Sequence, residues 1–207
     1  MSASVSPNET VESVRDDVIG WRRHLHQYPE RSFHEVRTSQ FVADTLASFG
    51  GLEITRPTPT SVLARLVGSG PGPVLAIRAD IDALPITECN THAFISREPG
   101  TMHACGHDGH TAMLLGAVKV LVGRRDALQG EVRFIFQHAE ELNPGGAEEL
   151  VQAGVLDGVD MIIGAHLWSA LAVGKVAVKA GALMASPDIL HITIKGSGGH
   201  AAIPHQT

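Results

Sequence analysis

Three apolar runs, each ending in chemically active side chains, constrain this chain more than any other feature. Val74 to Arg78 leads into Asp80-Ile81-Asp82, Val132 to Gln137 leads into His138-Ala139-Glu140-Glu141, and a run from Met161 ends on His166. Short apolar runs with β-branched residues and turn residues at their borders predict strands. The stretches between them carry helical spacing. Val11, Val14, Val18, Trp21 and Leu25 predict a helix over about 10–27, stopped by Pro29. Further helices are expected over 34–49, closed by Gly50-Gly51, over 111–122 and over 146–153. Strands alternating with helices imply an α/β fold: a mixed, largely parallel sheet with helices on both faces. In such sheets functional groups gather beyond the carboxyl ends of the strands, where Asp80, Glu140 and His166 stand. The run from Met161 to His166 is expected to be buried. Val62 to Val67 and Val74 to Arg78 are expected to form a hairpin through Gly68-Ser69-Gly70-Pro71-Gly72.

After Gly174 the texture changes. Lys175 to Lys179 and Ile189 to Lys195 read as strands with no helix between them, and Pro204 is placed to open a helix just before the last residue, Thr207. A helix start with no helix body implies that the sequence is cut inside an element.

The block Met102-His103-Ala104-Cys105-Gly106-His107-Asp108-Gly109-His110 concentrates the chemistry. Cys105 and His107 are one residue apart, so a thiolate and an imidazole can face the same way and hold one divalent cation or bridge two. Cys105, His107, Glu141 and His166 supply four mixed donors from separate elements, as a zinc-type site needs. Adjacent side chains diverge, so one of the pair Glu140-Glu141 can bind a cation while Glu140 stays free to take a proton from water. Each signal alone is weak: a lone cysteine is usually a small hydrophobe, and Glu-Glu pairs are common on solvated helices. Together, at the ends of α/β strands, they favour a metal centre. The spacing does not choose between an orienting role and a turn role for Asp80, Asp82 or Asp108. His103 and His110 are expected to support ligands rather than bind. His24 and His26, beside Arg22 and Arg23, are expected to be structural or surface residues. His200 follows a glycine-rich turn and could reach a substrate oxygen.

Bulk properties narrow the classes. With 207 residues, 43% hydrophobic and 18% charged, the chain can build one sizeable core. A net charge of -6 without a basic cluster argues against nucleic acid as a partner. No apolar stretch is long enough to span a bilayer. Two cysteines, Cys89 and Cys105, make no disulfide framework, and a cytoplasmic location is expected. Cys89 has no Cys-x-x-Cys partner, which discounts a redox thiol protein.

The blocks also resemble a known family. Arg23, His26 and Pro29-Glu30, the run Arg78 to Pro85, the block Met102 to Thr111, Ala139-Glu140-Glu141, Gly145-Gly146-Ala147, Gly164 to Trp168, and Gly198 to Ala202 with Pro204-His205 resemble the amidohydrolase branch of the M20 metallopeptidases. The resemblance implies a zinc-exopeptidase-like fold with an inserted α+β lid and dimerisation domain, and so a division into a catalytic α/β part over 1–184 and the cut-off beginning of the inserted part over 185–207. It implies two divalent ions (zinc, manganese, cobalt or nickel) held by Cys105, His107, Glu141 and His166. It implies Glu140 as general base, Asp82 as the carboxylate that orients the centre, and His200 as the lid histidine that polarises the scissile carbonyl, often across a homodimer. The implied reaction is hydrolysis of an N-acyl amino acid. His138 and Ser169 stand where the family commonly has proline; His138 is expected to add a contact beside the centre. Members of the family are longer and supply a further histidine ligand, so this chain is expected to be an N-terminal fragment with little activity by itself. The alternative is a non-catalytic metal-binding or partner-binding module.

Overall fold

The computed structural model describes residues 11–186 and 188–206. The chain divides between Trp168 and Ser169 into two units. The boundary expected after residue 184 lies inside the second of them.

The first unit is built on a five-stranded sheet. Its strands are β1 (Glu53–Thr55), β2 (Val62–Val67), β3 (Gly70–Asp80), β4 (Gln129–Gln137) and β5 (Met161–Gly164), in the order β1-β2-β4-β3-β5. β3 is parallel to both β4 and β5, whereas β2 is antiparallel to β1 and to β4. The sheet is therefore mixed, with as many antiparallel as parallel pairings, and the expectation of a largely parallel sheet is corrected. The expected β2–β3 hairpin does not form either, because β4 lies between the two strands. The backbone N–H groups of Gly68 and Ser69 donate to the carbonyls of Gly130 and Leu128, so the turn is stitched to the start of β4.

Strand alternation sends two sets of side chains to opposite faces. Val62, Ala64 and Leu66 of β2, Val132, Phe134 and Phe136 of β4 and Ala79 of β3 form the main core. Helices α1 (Arg15–Gln27), α2 (Val36–Phe49) and α3 (His107–Val122) cover it. Val14, Val18, Trp21 and Leu25 give α1 its apolar stripe; Asp16 and Asp17 sit in its first turn, where the helix dipole favours acids. Gly50, at φ 70°, closes α2. On the opposite face Leu63, Ala76 and Ile135 pack against Leu150 of the short helix α4 (Gly146–Gln152) and against Val155. Helices do lie on both faces, and two of the boundaries shift. α3 begins at His107, inside the Cys/His block rather than after it, because left-handed Gly106 (φ 91°) turns the chain directly into the helix. β5 stops at Gly164 and is an edge strand, with Met161, Ile162 and Ile163 about half exposed rather than buried.

β3, β4 and β5 run parallel and end at Asp80, Gln137 and Gly164, so their carboxyl ends open on one edge. In the second unit the described residues hold no strand. Val176, Val178, Ile192 and Ile194 are 82–91% exposed and have no ladder partner, so their alternation alone does not make strands. Pro204–Gln206 form a single 3₁₀ turn. No helix among the described residues is long and apolar enough to cross a membrane.

Like charges face each other across β2 and β4, where Arg65 pairs in register with Arg133. Glu131 resolves the conflict. Its carboxylate takes two 2.8 Å bonds from Arg65 and another 2.8 Å bond from Arg133 Nε. The Arg65 hydrogen bonds, ahead of all other influences, hold the Glu131 pKa down at about 2, against an ordinary 4.5. A depressed carboxylate stabilises the fold above its unfolded pKa, and that stability is lost as pH falls through its folded value. Glu131→Gln is expected to cost about 1–3 kcal/mol at neutral pH. It should also flatten the loss of stability between pH 4.5 and about 2. Urea unfolding of both proteins across that pH range checks this; parallel stability curves would contradict it.

Candidate metal centre

His107 is the first residue of α3, and its ring is 1% exposed. Its Nδ1 lies 2.9 Å from the Asp82 carbonyl oxygen and 3.1 Å from Asp82 Oδ1. A carbonyl can only accept, so the proton sits on Nδ1 and the neutral ring presents a lone pair at Nε2. That Nε2 is buried without a hydrogen-bond partner. It faces Glu141 Oε1 at 3.7 Å, which is also unpartnered, and Asp80 Oδ2 at 3.6 Å. Beside it Cys105 Sγ lies 3.4 Å from His166 Nε2. Donor atoms of Cys105, His107 and His166 fall within 4.8 Å of one another, as do those of His107, Glu140 and Glu141. The structure thus brings together Cys105, His107, Glu140, Glu141 and His166, with Asp82 behind His107. His200 belongs to the second unit, where its Nδ1 accepts from the Ala202 backbone N–H.

Several side chains hold these donors in place. Asp82 Oδ2 accepts from Ser32 Oγ at 2.7 Å and from the Glu141 backbone N–H at 3.0 Å, so one carboxylate fixes both His107 and Glu141. His110 Nδ1 donates to Asp80 Oδ1 at 2.6 Å, while its Nε2 accepts from the Leu167 backbone N–H at 2.8 Å. This ties the residue after His166 to α3. Leu167 also packs where Gly106 and Gly109 lack side chains; a Cβ on Gly109 would stand 2.5 Å from Leu167 Cδ1. The glycines in the Cys/His block are therefore docking sites for the β5 end.

The charges leave the centre short of a cation. Burial, followed by the negative charge of Glu141, pushes the Cys105 thiol up to about 12. Burial, followed by the charge of Glu141, also raises the Glu140 carboxyl. Burial pulls His107 down, but the Asp82 hydrogen bond and the charges of Asp80, Asp82 and Glu141 together carry it above its ordinary value. Two orphaned buried atoms, a sulfur and an acidic surplus fit a divalent cation of the zinc type.

Some positions differ from expectation. His138 does not contact the centre: its Nε2 lies 2.9 Å from Glu149 Oε2 and its Nδ1 lies 3.3 Å from Thr58 Oγ1. Of the two roles expected for His26 the structure gives the structural one: it is 5% exposed and bonded to Asp108. Glu35 was not singled out in the sequence, yet it is fully buried and its Oε1 accepts from the Ala139 N–H at 2.7 Å. Ala139 has φ 46°, a conformation that costs a non-glycine residue energy and turns Glu140 and Glu141 toward the centre. A glutamate at the start of a helix reads as a first-turn acid, and nothing in the sequence marks its partner 104 residues away.

Residues 76–205 match the model of peptidase family M20/M25/M40. The chain belongs to this family. It is 64% identical over 197 residues to the N-acyl-L-amino acid amidohydrolase of Geobacillus stearothermophilus, covering 95% of this chain and 53% of that protein. It is 44% identical over 193 residues to IAA-amino acid hydrolase ILR1-like 5 of Arabidopsis thaliana, covering 93% and 44%. Among solved structures, the Bacillus subtilis YXEP protein, described as a dinuclear metal binding peptidase of the M20 family, superposes with a TM-score of 0.77 at 46% identity. That match covers 81% of this chain and 47% of the other. The chain spans about half the length of the curated relatives it matches.

Because Leu167 docks on a bare helix turn, Gly109→Ala is expected to destabilise the fold by about 1–3 kcal/mol through overpacking. Chemical denaturation checks it; an unchanged midpoint would show that Leu167 moves aside freely.

Proposed function

We propose that this chain carries the metal-binding part of an amidohydrolase that cleaves N-acyl amino acids. The observation that carries the reading is the unpartnered His107 Nε2, facing unpartnered Glu141 Oε1 beside the Cys105–His166 pair. The names of the relatives, an N-acyl-L-amino acid amidohydrolase and IAA-amino acid hydrolases, supply the substrate class. Cys105, His107, Glu141 and His166 would hold two divalent ions, zinc, manganese, cobalt or nickel being compatible with the donor set. When bound, such ions supply Lewis acidity toward a carbonyl oxygen and toward water.

The residues do the rest. Asp82 fixes the His107 tautomer so that Nε2 faces the centre. Glu140, next to Glu141 and only partly withdrawn from solvent, takes a proton from a water molecule as the water oxygen attacks the amide carbon. It returns that proton to the nitrogen as the C–N bond breaks, leaving an acid and a free amino acid. Its raised pKa brings proton uptake and release closer in energy. His200 would polarise the scissile carbonyl, and a homodimer would bring it to the site. A reducing cytoplasm, where Cys105 remains a free thiol, suits this chemistry.

The test uses a chimera in which this chain is continued by the second half of the Geobacillus stearothermophilus relative. It should hydrolyse N-acetyl and N-benzoyl amino acids. Glu140→Gln should lower kcat by about 10²–10⁴-fold while bound metal is unchanged. A chimera that binds metal but does not turn over, or a variant that keeps its rate, would favour a non-catalytic binding module. In the 207-residue chain, cobalt should give sulfur-to-metal charge-transfer absorption that Cys105→Ser abolishes. Asp82→Ala should weaken metal binding about 10–100-fold; unchanged affinity would remove Asp82 from its orienting role.

A further inference from the structure

A second cluster of metal-type donors lies where α1 meets the loop after β3. His26, near the end of α1, places Nε2 3.1 Å from Glu88 Oε1, and His92 places Nε2 3.3 Å from the same oxygen. The three donor atoms fall within 4.8 Å of one another. None of these residues belongs to the Cys105–His107–Glu141–His166 group.

Glu88 is the key to what the cluster lacks. Its side chain is 4% exposed. Among the described residues no lysine or arginine pairs with it. Its oxygens meet the Asn90 amide at 2.9 Å, the Ser96 backbone N–H at 2.5 Å and the two imidazoles. A buried carboxylate needs a positive partner, and among the described residues that role falls to the imidazoles. His26 is already committed on its other side, where Nδ1 lies 2.9 Å from Asp108 Oδ2. Asp108 has its own cation, Arg22, at 3.3 Å. With a single proton, on Nδ1 for Asp108, His26 would turn a bare lone pair toward Glu88; its hydrogen bonds, first to Asp108 and then to Glu88, outweigh burial and raise its pKa, which favours a second proton on Nε2. Two acceptor atoms 3.1 Å apart need something positive between them, either that second proton or a cation that displaces it.

We propose that His26, Glu88 and His92 form a separate binding site for one divalent cation of the zinc class. Two imidazoles and one carboxylate are a recognised zinc donor set, with room for water as a fourth ligand. Bonds of about 2.0–2.1 Å in tetrahedral geometry put neighbouring donors about 3.3 Å apart, which matches the two spacings to Glu88 Oε1. The Asp108–His26 contact is the carboxylate–histidine support that orients such ligands. Stacking on Phe94, at 4.0 Å between ring centroids, holds the His92 ring, and the Arg23 guanidinium lies over that same Phe94 ring at 5.4 Å. His92, about a third exposed, is the entry side. Its Nδ1 is buried without a partner, which makes it the weakest-held ligand and the most informative to change. Occupied, the site would pin the 84–102 loop to α1 beside the main centre.

The test is the zinc content of the 207-residue chain after equilibration with zinc and gel filtration. His92→Gln should lower tightly bound zinc by one equivalent and leave cobalt–sulfur absorption from Cys105 unchanged. Cys105→Ser with Glu141→Gln should remove the sulfur signal and retain the equivalent that depends on His92. That arm separates this site from the proposed amidohydrolase centre: failure of either leaves the other readable. Equal zinc in the native chain and His92→Gln would overturn the proposal and leave the cluster as a hydrogen-bonded network. His92 is partly exposed, so its replacement leaves the folded core intact; an unchanged far-ultraviolet spectrum verifies that.

Discussion

The candidate centre depends on one constraint: a buried imidazole nitrogen with a lone pair and no proton donor to meet it. The Asp82 carbonyl takes the only proton of neutral His107 and so dictates what Nε2 must be. Around that atom the chain gathers acids: Asp80 Oδ2 at 3.6 Å, which has Arg78 as its own cation at 2.7 Å, and Glu141 Oε1 at 3.7 Å, which has no partner. Protein interiors leave such groups unpaired only where something else pairs them. The acidic surplus is also why a thiol beside it resists ionisation, with Cys105 pushed up to about 12. A divalent cation would meet the lone pair and offset the acids together, whereas a second proton on His107, favoured by the same acids, meets the lone pair alone.

The scaffold meets this constraint with three strand ends and a helix start. β3 delivers Asp80 and, two residues on, Asp82; β4 delivers Glu140 and Glu141 after the positive-φ turn at Ala139. β5 delivers His166 and then anchors itself through Leu167 on α3. Parallel strands put these ends on one edge, and the α3 N-terminus closes the gap between them. The antiparallel pair β1–β2 stands apart from this work: its part is to extend the core and carry the Arg65–Glu131 clamp.

Much of the site was legible in sequence because its chemistry is local and dense. Cys105 and His107 announce themselves by spacing, and Glu140, Glu141 and His166 by standing after apolar runs. What escaped was long-range. Glu35, which holds Ala139, and Ser32, which holds Asp82, look like ordinary residues leading into a helix. His138 looked like a neighbour of the centre because its sequence neighbours are, yet alternation past β4 sends its ring to Thr58 and Glu149. The β2–β3 turn looked like a hairpin because a strand from 50 residues later could not be foreseen between them. Edge exposure of β5 is likewise a property of strand order, not of the apolar run itself.

The first turn of α3 also explains how two imidazole clusters coexist within a few residues. Successive helix positions point about 100° apart. His107 therefore enters the strand-end centre while Asp108 turns toward α1 and takes His26 and Arg22. Gly109 makes room for Leu167, and His110 turns back to Asp80. All four positions are spent on different neighbours, and His107, Asp108 and His110 are each at most 3% exposed. A helix turn with this many distinct obligations tolerates little rotation. A shift that improved the grip on His26 would lower the grip on Asp80. The block Cys105 to His110 is thus constrained as much by α1 and β5 as by any ion, and this joint constraint fixes the direction of the His107 lone pair.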